Sequence, residues 1–503
     1  MAQRRPNILM IMADQLPAQL TGAYGHPVVK TPNLDQLADR GVKFDAAYTN
    51  CPICAPSRAS MCAGRLVSNL GTYDNGAVFP SQTPTFMHHL TRSDYDVALS
   101  GKMHFIGPDQ HHGFARRLTT DIYPSSSVWT PDWTEGPIPN PGTSVDQLRD
   151  AGLCKWNMQL DYDEEVHFRS LEYLRNAARH HDQPFFLCAS YTHPHDPFIT
   201  TQRWWDVYDH GDIGPPTTPP IPIDEIHPYD QWLQTHHMVD VYPPDEASIQ
   251  NARHAFFGMV SYFDHKIGEL VDELNRLGMS DDTIIVVTSD HGEMLGEHGM
   301  WFKRTYFDPS TRVPLIFAGT SKIREGHRSS QTVSLVDLFA TFAELTDLDG
   351  SQEIVDASDG DSLCELLQGR TEGWKDHAIS EYMSEGVVEP MRMAVRNSLK
   401  YVFVHDQPPL AFDLKSDPNE LKNVVDDPNY SERLSELKQL VHHNWEPELE
   451  REKILASQRD RRYINQAGHA SWDVHPDVYS AGQYVRENNS QRVNEQLRYP
   501  RVR

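Results

Sequence analysis

The chain has 503 residues, with 45 basic and 71 acidic side chains and a formal net charge of −26 at pH 7. A surface of this charge repels a phosphate backbone, so nucleic acid is not expected as a partner. Hydrophobic residues make up 39% and aromatic residues 10% of the chain, which is typical of a globular protein. Apolar runs such as residues 8–13 are far shorter than the ~18 residues that cross a bilayer, so no membrane partner is expected.

The N-terminal apolar run and the cysteine content together predict a location. Residues 8–13 are followed directly by Asp14, and this run is too short for a signal peptide, whose apolar region has ~7–15 residues before a cleavage site. Six cysteines are too few for a disulfide scaffold, and a reducing compartment is the default. We therefore expect a cytoplasmic protein.

Buried strands alternate with helices through most of the chain. Four short apolar segments predict fully buried strands over Asn7–Ala13, residues 97–100, Phe185–Ser190 and Thr283–Ser289. One helix is predicted from Thr31 as N-cap to Gly41, and another over residues 248–277, where apolar side chains form a stripe. This alternation predicts the α/β class, with a large mostly parallel sheet sandwiched between helices.

The pattern changes near residue 374. Short strands are predicted over Met391–Arg396 and residues 401–405 and 410–414, and a helix over residues 431–445. These elements predict a smaller C-terminal antiparallel α+β domain, and the rest is predicted as an extended polar tail with little periodicity. The predicted organisation is a catalytic domain over residues 1–373, the smaller domain over 374–446 and the tail over 447–503.

Polar side chains follow all four predicted strands at the point where each ends: Asp14, Lys102 with His104, His193 with His195, and Asp290 with His291. Ligands of an open α/β sheet bind outside the carboxyl ends of its strands, so these groups are expected to meet in one site. A single Asp after a strand is more often a turn residue or a helix cap. The four endings together indicate a metal and an anion.

Residues 54–65 (CAPSRASMCAGR) are the most specific motif. Pro56 favours the first turn of a helix, so Cys54 is expected at a helix N-terminus, where free N–H groups favour an anion or a thiolate. Taken alone, Cys51 and Cys54 also fit a redox or zinc dithiol, and His193 with His195 fits a zinc pair weakly. The Pro-Ser-Arg extension after Cys54 favours a different chemistry.

With that extension the chain resembles the sulfatase family of the alkaline phosphatase superfamily, in which a Cys-x-Pro-Ser-Arg signature is converted to formylglycine (3-oxoalanine) after translation. Further motifs match in the family's order: residues 6–9 with Asp14, 101–104, 194–198, 290–293 with Lys303, and 412–420. The resemblance covers nearly the whole chain. It implies an alkaline phosphatase-like fold, hydrolysis of a sulfate monoester, and a maturating enzyme as partner, either formylglycine-generating or anaerobic.

The same resemblance implies a role for each motif residue. A divalent metal would be held by Asp14, Asp290, His291 and the modified Cys54. Oxygen ligands suit Ca²⁺, and an imidazole ligand also admits Mn²⁺ or another transition metal, with Mg²⁺ as a further alternative. The resemblance also implies that Arg58 positions the nucleophile and that Lys102 and Lys303 bind the sulfate oxygens. His195 would protonate the leaving alcohol, and His104 would act as the base that assists release of sulfate.

Loop motifs at residues 73–75, 118–124 and 129–132 resemble the choline sulfatase branch of the family. This implies choline O-sulfate as the substrate, with Asn75 and Trp129 at its organic end. A quaternary ammonium is attracted to an aromatic face by ~0.5–2 kcal/mol per contact, although Trp129 could equally be a packing anchor of its loop. The resemblance of Trp472 and Asp473 in the tail implies a homo-oligomer, a tetramer or a dimer.

Three alternatives stay open at this point. An aryl or carbohydrate sulfatase would use Trp129 to stack on a neutral ring. A phosphonate monoester or phosphodiester hydrolase would use the same metal and the same modified cysteine. A catalytically silent protein would keep Cys54 as a thiol and only bind sulfate esters. Three glutamates, Glu381, Glu385 and Glu389, could add negative charge for a cationic substrate, but most of them are predicted to lie on the solvated surface.

Overall fold

The computed structural model describes residues 5–179, 183–346 and 352–467. Its strands are β1 Asn7–Ala13, β2 Gly41–Tyr48, β3 Asp96–Gly101, β4 Arg116–Arg117, β5 Gly152–Cys154, β6 Phe185–Ser190, β7 Ile199–Thr201, β8 Thr283–Ser289, β9 Leu315–Ala318, β10 His327–Ser334, β11 His377–Tyr382, β12 Met391–Arg396, β13 Leu399–Val404 and β14 Leu410–Asp413. Its α-helices are α1 Pro32–Asp39, α2 Cys54–Ala63, α3 Val67–Leu70, α4 Phe86–Arg92, α5 Met158–Ala177, α6 Gln202–Trp205, α7 Pro228–His236, α8 Glu246–Arg276, α9 Asp308–Thr311, α10 Asp337–Leu345, α11 Gln352–Val355, α12 Cys364–Leu367, α13 Ser431–His442 and α14 Pro447–Gln466. Within these ranges no helix combines the length and the apolar character that a membrane crossing requires.

An eight-stranded sheet with the order β10-β2-β9-β8-β1-β6-β3-β4 forms the centre of the molecule. Strand β9 runs antiparallel to β2 and β8, and the other neighbours are parallel. Strand β1 lies between β6 and β8, with Met10 opposite both Cys188 and Val286. The predicted α/β class with a large mostly parallel sheet is confirmed.

Helices cover both faces of this sheet, which explains why its central strand is apolar throughout. Leu9 and Ile11 of β1 pack into a core cluster that contains Phe256 of α8. Met10 and Met12 point the other way into a cluster with side chains of α2 and α10. Alternate side chains of a strand point to opposite faces, so a strand buried on both faces has a continuous apolar run.

Most predicted elements of the large sheet have the predicted bounds. Strands β1, β6 and β8 match, β3 is longer by one residue at each end, and α1 begins at Pro32 after Thr31. Strands β2, β9 and β10 were not predicted. They form the edge of the sheet that contains the antiparallel strand.

The smaller C-terminal region contains an antiparallel sheet with the order β11-β12-β13-β14. Helix α13 packs on one face of it, where Tyr401 and Leu437 share a core cluster. The other face contributes Met391 and Met393 to a cluster that also contains Tyr48 of the large sheet. The predicted antiparallel α+β region is therefore present.

Residues 447–466 form the 20-residue helix α14, so the prediction of an aperiodic polar tail from residue 447 is wrong for this segment. The buried residues of α14 are Pro447, Glu450, Ile454, Gln458 and Arg461. Three of these five side chains are polar, and a hydropathy pattern therefore does not reveal the helix. Trp472 and Asp473, the tail residues of the oligomer prediction, lie outside the described residues.

Candidate active site

The structure brings the four predicted metal ligands together. One ligand atom from each of Asp14, Cys54, Asp290 and His291 lies within 4.8 Å of the other three, and all four residues are buried. The imidazole Nε2 of His291 lies 3.1 Å from the Cys54 Sγ and 3.7 Å from a carboxylate oxygen of each aspartate. Its Nδ1 lies 3.0 Å from the Gly292 carbonyl oxygen, which leaves Nε2 to face the cluster.

The charge states of these side chains fit a divalent cation. Burial lowers the pKa of His291 to about 4, so its imidazole is neutral, as a metal ligand must be. Burial alone would raise the pKa of Asp14, but Lys102 and other nearby cations lower it well below its ordinary value. Two carboxylates and a neutral imidazole are a donor set that several divalent metals accept.

Cys54 stands at the first position of α2, as predicted. The residue before it, Ile53, provides no side-chain cap, and the Oδ1 of Asn75 instead accepts a hydrogen bond from the Ala55 N–H at 3.1 Å. Burial and Asp14 raise the pKa of the Cys54 thiol to about 11. The unmodified thiol is therefore protonated at neutral pH and is a poor nucleophile.

Arg58 lies one helical turn after Cys54 and is fully buried. Its Nε donates to Oδ2 of Asp290 at 2.7 Å, and its Nη1 donates to the Lys102 carbonyl oxygen at 2.7 Å and to the Ser190 Oγ at 2.9 Å. Within the described part of the chain its Nη2 has no hydrogen-bond partner. These three bonds fix the guanidinium beside the metal cluster.

The close approach of strands β3 and β6 positions Lys102 beside the metal cluster. Gly101 has a φ of +110°, and a Cβ at this position would lie 1.9 Å from the Ser190 carbonyl oxygen, so only glycine fits between β3 and β6. The next residue, Lys102, forms a buried ion pair with Asp14. Its Nζ also lies 4.1 Å from the centre of the Tyr123 ring.

His195 and Lys303 form a second buried pair. The Nζ of Lys303 lies 2.7 Å from Nε2 of His195, and burial together with Lys303 lowers the pKa of His195 to about 3. Lys303 also donates to Oε1 of Gln15, whose amide nitrogen donates to Glu293. The sequence motifs assigned no role to Gln15, although it directly follows Asp14.

His104 closes the predicted catalytic set. Its ring stacks on Tyr123 with the ring centres 4.8 Å apart, and it meets Trp129 edge to face at 5.5 Å. Neither ring nitrogen has a hydrogen-bond partner among the residues that the structure describes. Burial and Lys102 lower the pKa of His104 well below its ordinary value, which leaves a neutral imidazole able to accept a proton.

A cavity of about 310 Å³ opens beside Cys54. The part of its lining that belongs to the predicted catalytic set, called the inner end of the cavity, is Cys54, His104, His195 and Lys303. The rest of the lining, called the outer end of the cavity, includes the predicted Asn75 and Trp129 together with Tyr123, Asp132, Trp133, His236, Arg304 and Glu385. Trp129 therefore faces the cavity in addition to packing within its loop.

The prediction that three glutamates are mostly solvated is wrong. Glu381 is fully buried and pairs with Arg392 at 3.1 Å. Glu385 accepts a hydrogen bond from Nη2 of Arg304 at 2.9 Å. Glu389 contacts His405 at 2.8 Å and is 13% exposed. Strand β11 and the turn after it carry Glu381 and Glu385 into the interface between the two sheets, a tertiary arrangement that residue type alone does not indicate.

Two alternative ligand sets gain no support. Nδ1 of His193 lies 2.6 Å from Oδ2 of Asp163, and His193 does not belong to the metal-ligating group of the described residues. Cys51 and Cys54 are both free thiols, and Cys51 also lies outside that group. Among the described residues the structure therefore supports neither a Cys51–Cys54 dithiol nor a His193–His195 zinc pair.

Comparison with protein families defines the class. The profile of the sulfatase family matches residues 6–348, and the profile of the N-sulphoglucosamine sulphohydrolase C-terminal region matches residues 296–446. The chain belongs to the sulfatase family. It is a sulfuric ester hydrolase with an alkaline phosphatase-like fold.

Individual relatives narrow the comparison. The chain is 37% identical to the choline-sulfatase of Rhizobium meliloti (strain 1021) over 522 aligned residues, which cover 100% of both proteins. It is 27% identical to an arylsulfatase of Clostridium perfringens, with 87% of this chain and 94% of that protein covered. The solved structure of the phosphonate monoester hydrolase of Agrobacterium radiobacter is similar in fold, with a TM-score of 0.68, 24% identity and coverage of 87% of this chain and 95% of that one.

Proposed function

We propose that this sulfatase hydrolyses choline O-sulfate to choline and inorganic sulfate. The observation that carries the proposal is the cavity beside Cys54, which joins a cationic inner end to an aromatic and carboxylate-bearing outer end. A sulfate monoester of a quaternary ammonium alcohol has the complementary charges. The 37% identity with a choline-sulfatase along the whole chain supports the same substrate.

Asp14, Asp290, His291 and the side chain at position 54 would hold the metal. We propose Ca²⁺, because the two aspartates and an oxygen at position 54 would supply oxygen ligands, with Mn²⁺, which also accepts an imidazole ligand, or Mg²⁺ as alternatives. The bound cation would lower the pKa of a hydroxyl at position 54 and neutralise a sulfate oxygen. Conversion of Cys54 to formylglycine would supply that hydroxyl, because the aldehyde forms a hydrate. The unmodified, buried thiol is a poor nucleophile and cannot replace it.

The sulfate group would meet three cations held by this chain. Both Lys102 and Lys303 act electrostatically on the thiol of Cys54, since each lowers its pKa although burial and Asp14 outweigh them. Nη2 of Arg58 has no hydrogen-bond partner among the described residues and could donate to a sulfate oxygen. Fixed cations in a buried site stabilise charge that develops in the transition state more strongly than water does.

The proton for the departing alcohol would come from the His195–Lys303 pair. The hydrogen bond between Lys303 Nζ and His195 Nε2 holds one proton between the two groups at the cavity wall, where it can pass to the leaving oxygen. His104 would take the opposite role, because its neutral ring accepts a proton when sulfate is released from position 54.

The choline moiety would occupy the outer end of the cavity. Tyr123 and Trp129 meet with their ring centres 5.3 Å apart and 67° between the planes, so they present aromatic surfaces in two directions. Glu385 adds a carboxylate in the same cavity. Aromatic faces and a carboxylate are the groups that stabilise a quaternary ammonium, which cannot donate a hydrogen bond.

Release of inorganic sulfate tests the proposal directly. Wild-type protein with Ca²⁺ is assayed on choline O-sulfate, 4-nitrophenyl sulfate and an aryl phosphonate, with Cys54→Ala as the blank. We expect choline O-sulfate to have the highest kcat/KM and the blank to release no sulfate. A higher kcat/KM for the phosphonate would instead identify a phosphonate hydrolase, and full activity of Cys54→Ala would contradict the role of position 54.

An aryl sulfate is the second candidate substrate, and one contact favours it. Arg304 pairs with Glu385, which reduces the negative charge that a choline group would meet. A neutral aromatic ring stacked on Trp129 would tolerate this pairing. In the same assay this alternative predicts that 4-nitrophenyl sulfate is preferred even after correction for its better leaving group.

We further propose a homotetramer whose C-terminal tail contributes to assembly. Because residues 447–466 are a helix packed against the large domain, the test is a truncation after Ala467 rather than at residue 447. We expect light scattering to show a smaller assembly for the truncated protein. An unchanged mass would contradict the role of the tail.

A further inference from the structure

A polar contact connects the C-terminal helix α14 to the wall of the cavity. Nη1 and Nη2 of Arg461 donate to Oδ1 and Oδ2 of Asp74 at 2.6 and 2.7 Å. The Arg461 side chain is 9% exposed and the Asp74 side chain is fully buried. A bidentate guanidinium–carboxylate pair with this burial has one defined geometry. Its partners are 387 residues apart in the sequence.

Asp74 organises the first of two loops that Arg461 contacts. Its Oδ1 also accepts a hydrogen bond from the Gly76 N–H at 2.9 Å, which closes a turn around Asn75. Asn75 in turn caps α2 through the Ala55 N–H and lines the cavity. The position of the Asp74 carboxylate thus determines where the Asn75 side chain lies.

The second loop carries Trp129. Nη1 of Arg461 donates to the Thr130 Oγ1 at 2.8 Å, and Nδ2 of Asn465 donates to the Ser127 carbonyl oxygen at 2.7 Å. A Cβ on Gly76 would lie 2.7 Å from the Thr130 backbone nitrogen, so the two loops pack without any side chain between them. Arg461 is bonded to both sides of this contact.

Further contacts show that the polar face of α14 matches this loop. Oε1 of Gln458 accepts a hydrogen bond from the Trp133 N–H at 3.0 Å, and Arg462 forms an ion pair with Asp132. The loop over residues 127–133 is therefore held by four successive contacts from one helix. The buried face of α14 is polar because its hydrogen-bond partners are polar backbone and side-chain groups of this loop.

We infer that Arg461 is a positioning residue that sets which leaving group the cavity accepts. It touches neither the reacting atoms nor the proposed contacts of the alcohol, and acts by fixing Asn75 through Asp74 and Trp129 through Thr130. The inference rests on the proposed function in one respect, since Asn75 and Trp129 are the groups proposed to contact the alcohol. A displacement of about 1 Å at groups that position the substrate is enough to change kcat/KM.

The test compares Arg461→Gln with Arg459→Gln. Arg459 lies on the same helix, is 72% exposed and, among the described residues, forms an ion pair with its neighbour Asp460, so it is the matched control. For Arg461→Gln we expect KM for choline O-sulfate to rise ~10-fold with kcat within ~3-fold, and a smaller change of KM for 4-nitrophenyl sulfate. Equal changes for both esters, or an equal effect of Arg459→Gln, would overturn the inference.

A double-mutant cycle asks whether Arg461 acts through Trp129. In a Trp129→Ala background we expect Arg461→Gln to change kcat/KM by clearly less than it does in the wild type, because one of the two groups it positions is absent and only Asn75 remains. Additive losses in the cycle would show that Arg461 has only a general structural role. Arg461→Lys keeps one charged donor and should recover part of the affinity.

The outcomes separate this inference from the proposed function. If the wild type does not hydrolyse choline O-sulfate, the proposed function fails, and the cycle is run on the sulfate ester with the highest kcat/KM. If Arg461→Gln does not fold, Asn465→Ala replaces it, since that change removes the bond to Ser127 and leaves the ion pair intact. We expect Asn465→Ala to raise KM ~3-fold at constant kcat, and an unchanged KM would contradict the inference.

Discussion

The two ends of the cavity are built in different ways. The inner end, called the reaction end, comprises Cys54 and the groups around it, Asp14, Arg58, Lys102 and Asp290. The outer end, called the alcohol end, comprises Trp129, His236, Arg304 and Glu385, with Arg461 as a supporting residue. At the reaction end Asp14, Lys102 and Asp290 directly follow β1, β3 and β8, strands of a sheet buried on both faces, and Cys54 and Arg58 stand on α2. At the alcohol end the side chains stand on a loop, a short helix, a turn and α14.

The ion pairs of the two ends also differ in how deeply they are buried. Arg58 with Asp290 and Lys102 with Asp14 are fully buried ion pairs, and removing one member of such a pair leaves the other charge unpaired at a cost of ~3–5 kcal/mol. Arg304 with Glu385 is less buried, at 3% and 15% exposure. The comparison indicates that rigid strand ends hold the chemistry shared by all sulfate esters, and that loops select the alcohol.

Cys54→Ala should have the largest effect on activity. We expect a loss of kcat/KM of at least ~10⁴-fold for every ester, because no other group in the site replaces the nucleophile. Sulfate release from choline O-sulfate and from 4-nitrophenyl sulfate measures it, and an unchanged melting temperature serves as the control for folding. If one ester were still hydrolysed at the wild-type rate, the reaction end would not be common to both.

Lys102→Met should reduce activity less, by ~10²–10³-fold, which is typical for the loss of one electrostatic contact in the transition state. The loss should be the same for choline O-sulfate and for 4-nitrophenyl sulfate, since Lys102 is proposed to bind sulfate oxygens rather than the alcohol. The measurement is kcat/KM for both esters, with the metal content of the variant determined in parallel. A loss of kcat/KM for only one ester would contradict the proposal that the reaction end acts on all sulfate esters alike.

The same division explains what could be predicted from the sequence. Strands β1, β6 and β8 are buried on both faces, so each is a continuous apolar run with a polar residue at its end. Strands β2 and β10 contain exposed or half-buried polar residues, and β9 has only four residues, so none of the three has a clear period. Residues at strand ends are local in sequence, so Asp14, Asp290 and His291 could be expected at one edge of the sheet, whereas Cys54 joined the predicted metal ligands only through the family resemblance.

The alcohol end lacks such a local signal. Glu385 and Arg304 lie 81 residues apart, and Arg461 and Asp74 lie 387 residues apart, so their pairing depends on the packing of the C-terminal region against the large sheet. Helix α14 buries a mainly polar face, which a hydropathy pattern assigns to solvent. Trp129 was predicted only through the family resemblance, and nothing in its own loop distinguished a wall of the cavity from a packing anchor.

Trp129→Ala should affect only the alcohol end. Compared with a neutral isostere, 3,3-dimethylbutyl sulfate, KM for choline O-sulfate should rise by an additional ~2–30-fold, which corresponds to the loss of one cation–π contact of ~0.5–2 kcal/mol. Steady-state kinetics on both esters measure the difference, and Trp129→Phe should retain part of it. Equal increases for both esters would mean that Trp129 contributes surface but no recognition of charge.

Asp230→Asn should leave turnover of 4-nitrophenyl sulfate unchanged and alter only the stability of the alcohol end. Asp230 lies on α7, the helix that also carries His236 of the cavity wall, and accepts a hydrogen bond from the Tyr306 hydroxyl. Burial raises the pKa of Asp230 from 3.8 to about 7. An acid whose pKa is higher in the folded state loses stabilisation as the pH rises from its unfolded to its folded pKa.

The wild type should therefore lose stability between about pH 4 and pH 7, by up to roughly 4 kcal/mol for a pKa difference of this size. Asp230→Asn cannot ionise, so its free energy of unfolding should equal that of the wild type near pH 4 and exceed it at pH 8. Urea unfolding at the two pH values measures the difference. A constant difference would show that Asp230 is already ionised in the folded protein, and that the alcohol end, like the reaction end, compensates its buried charges.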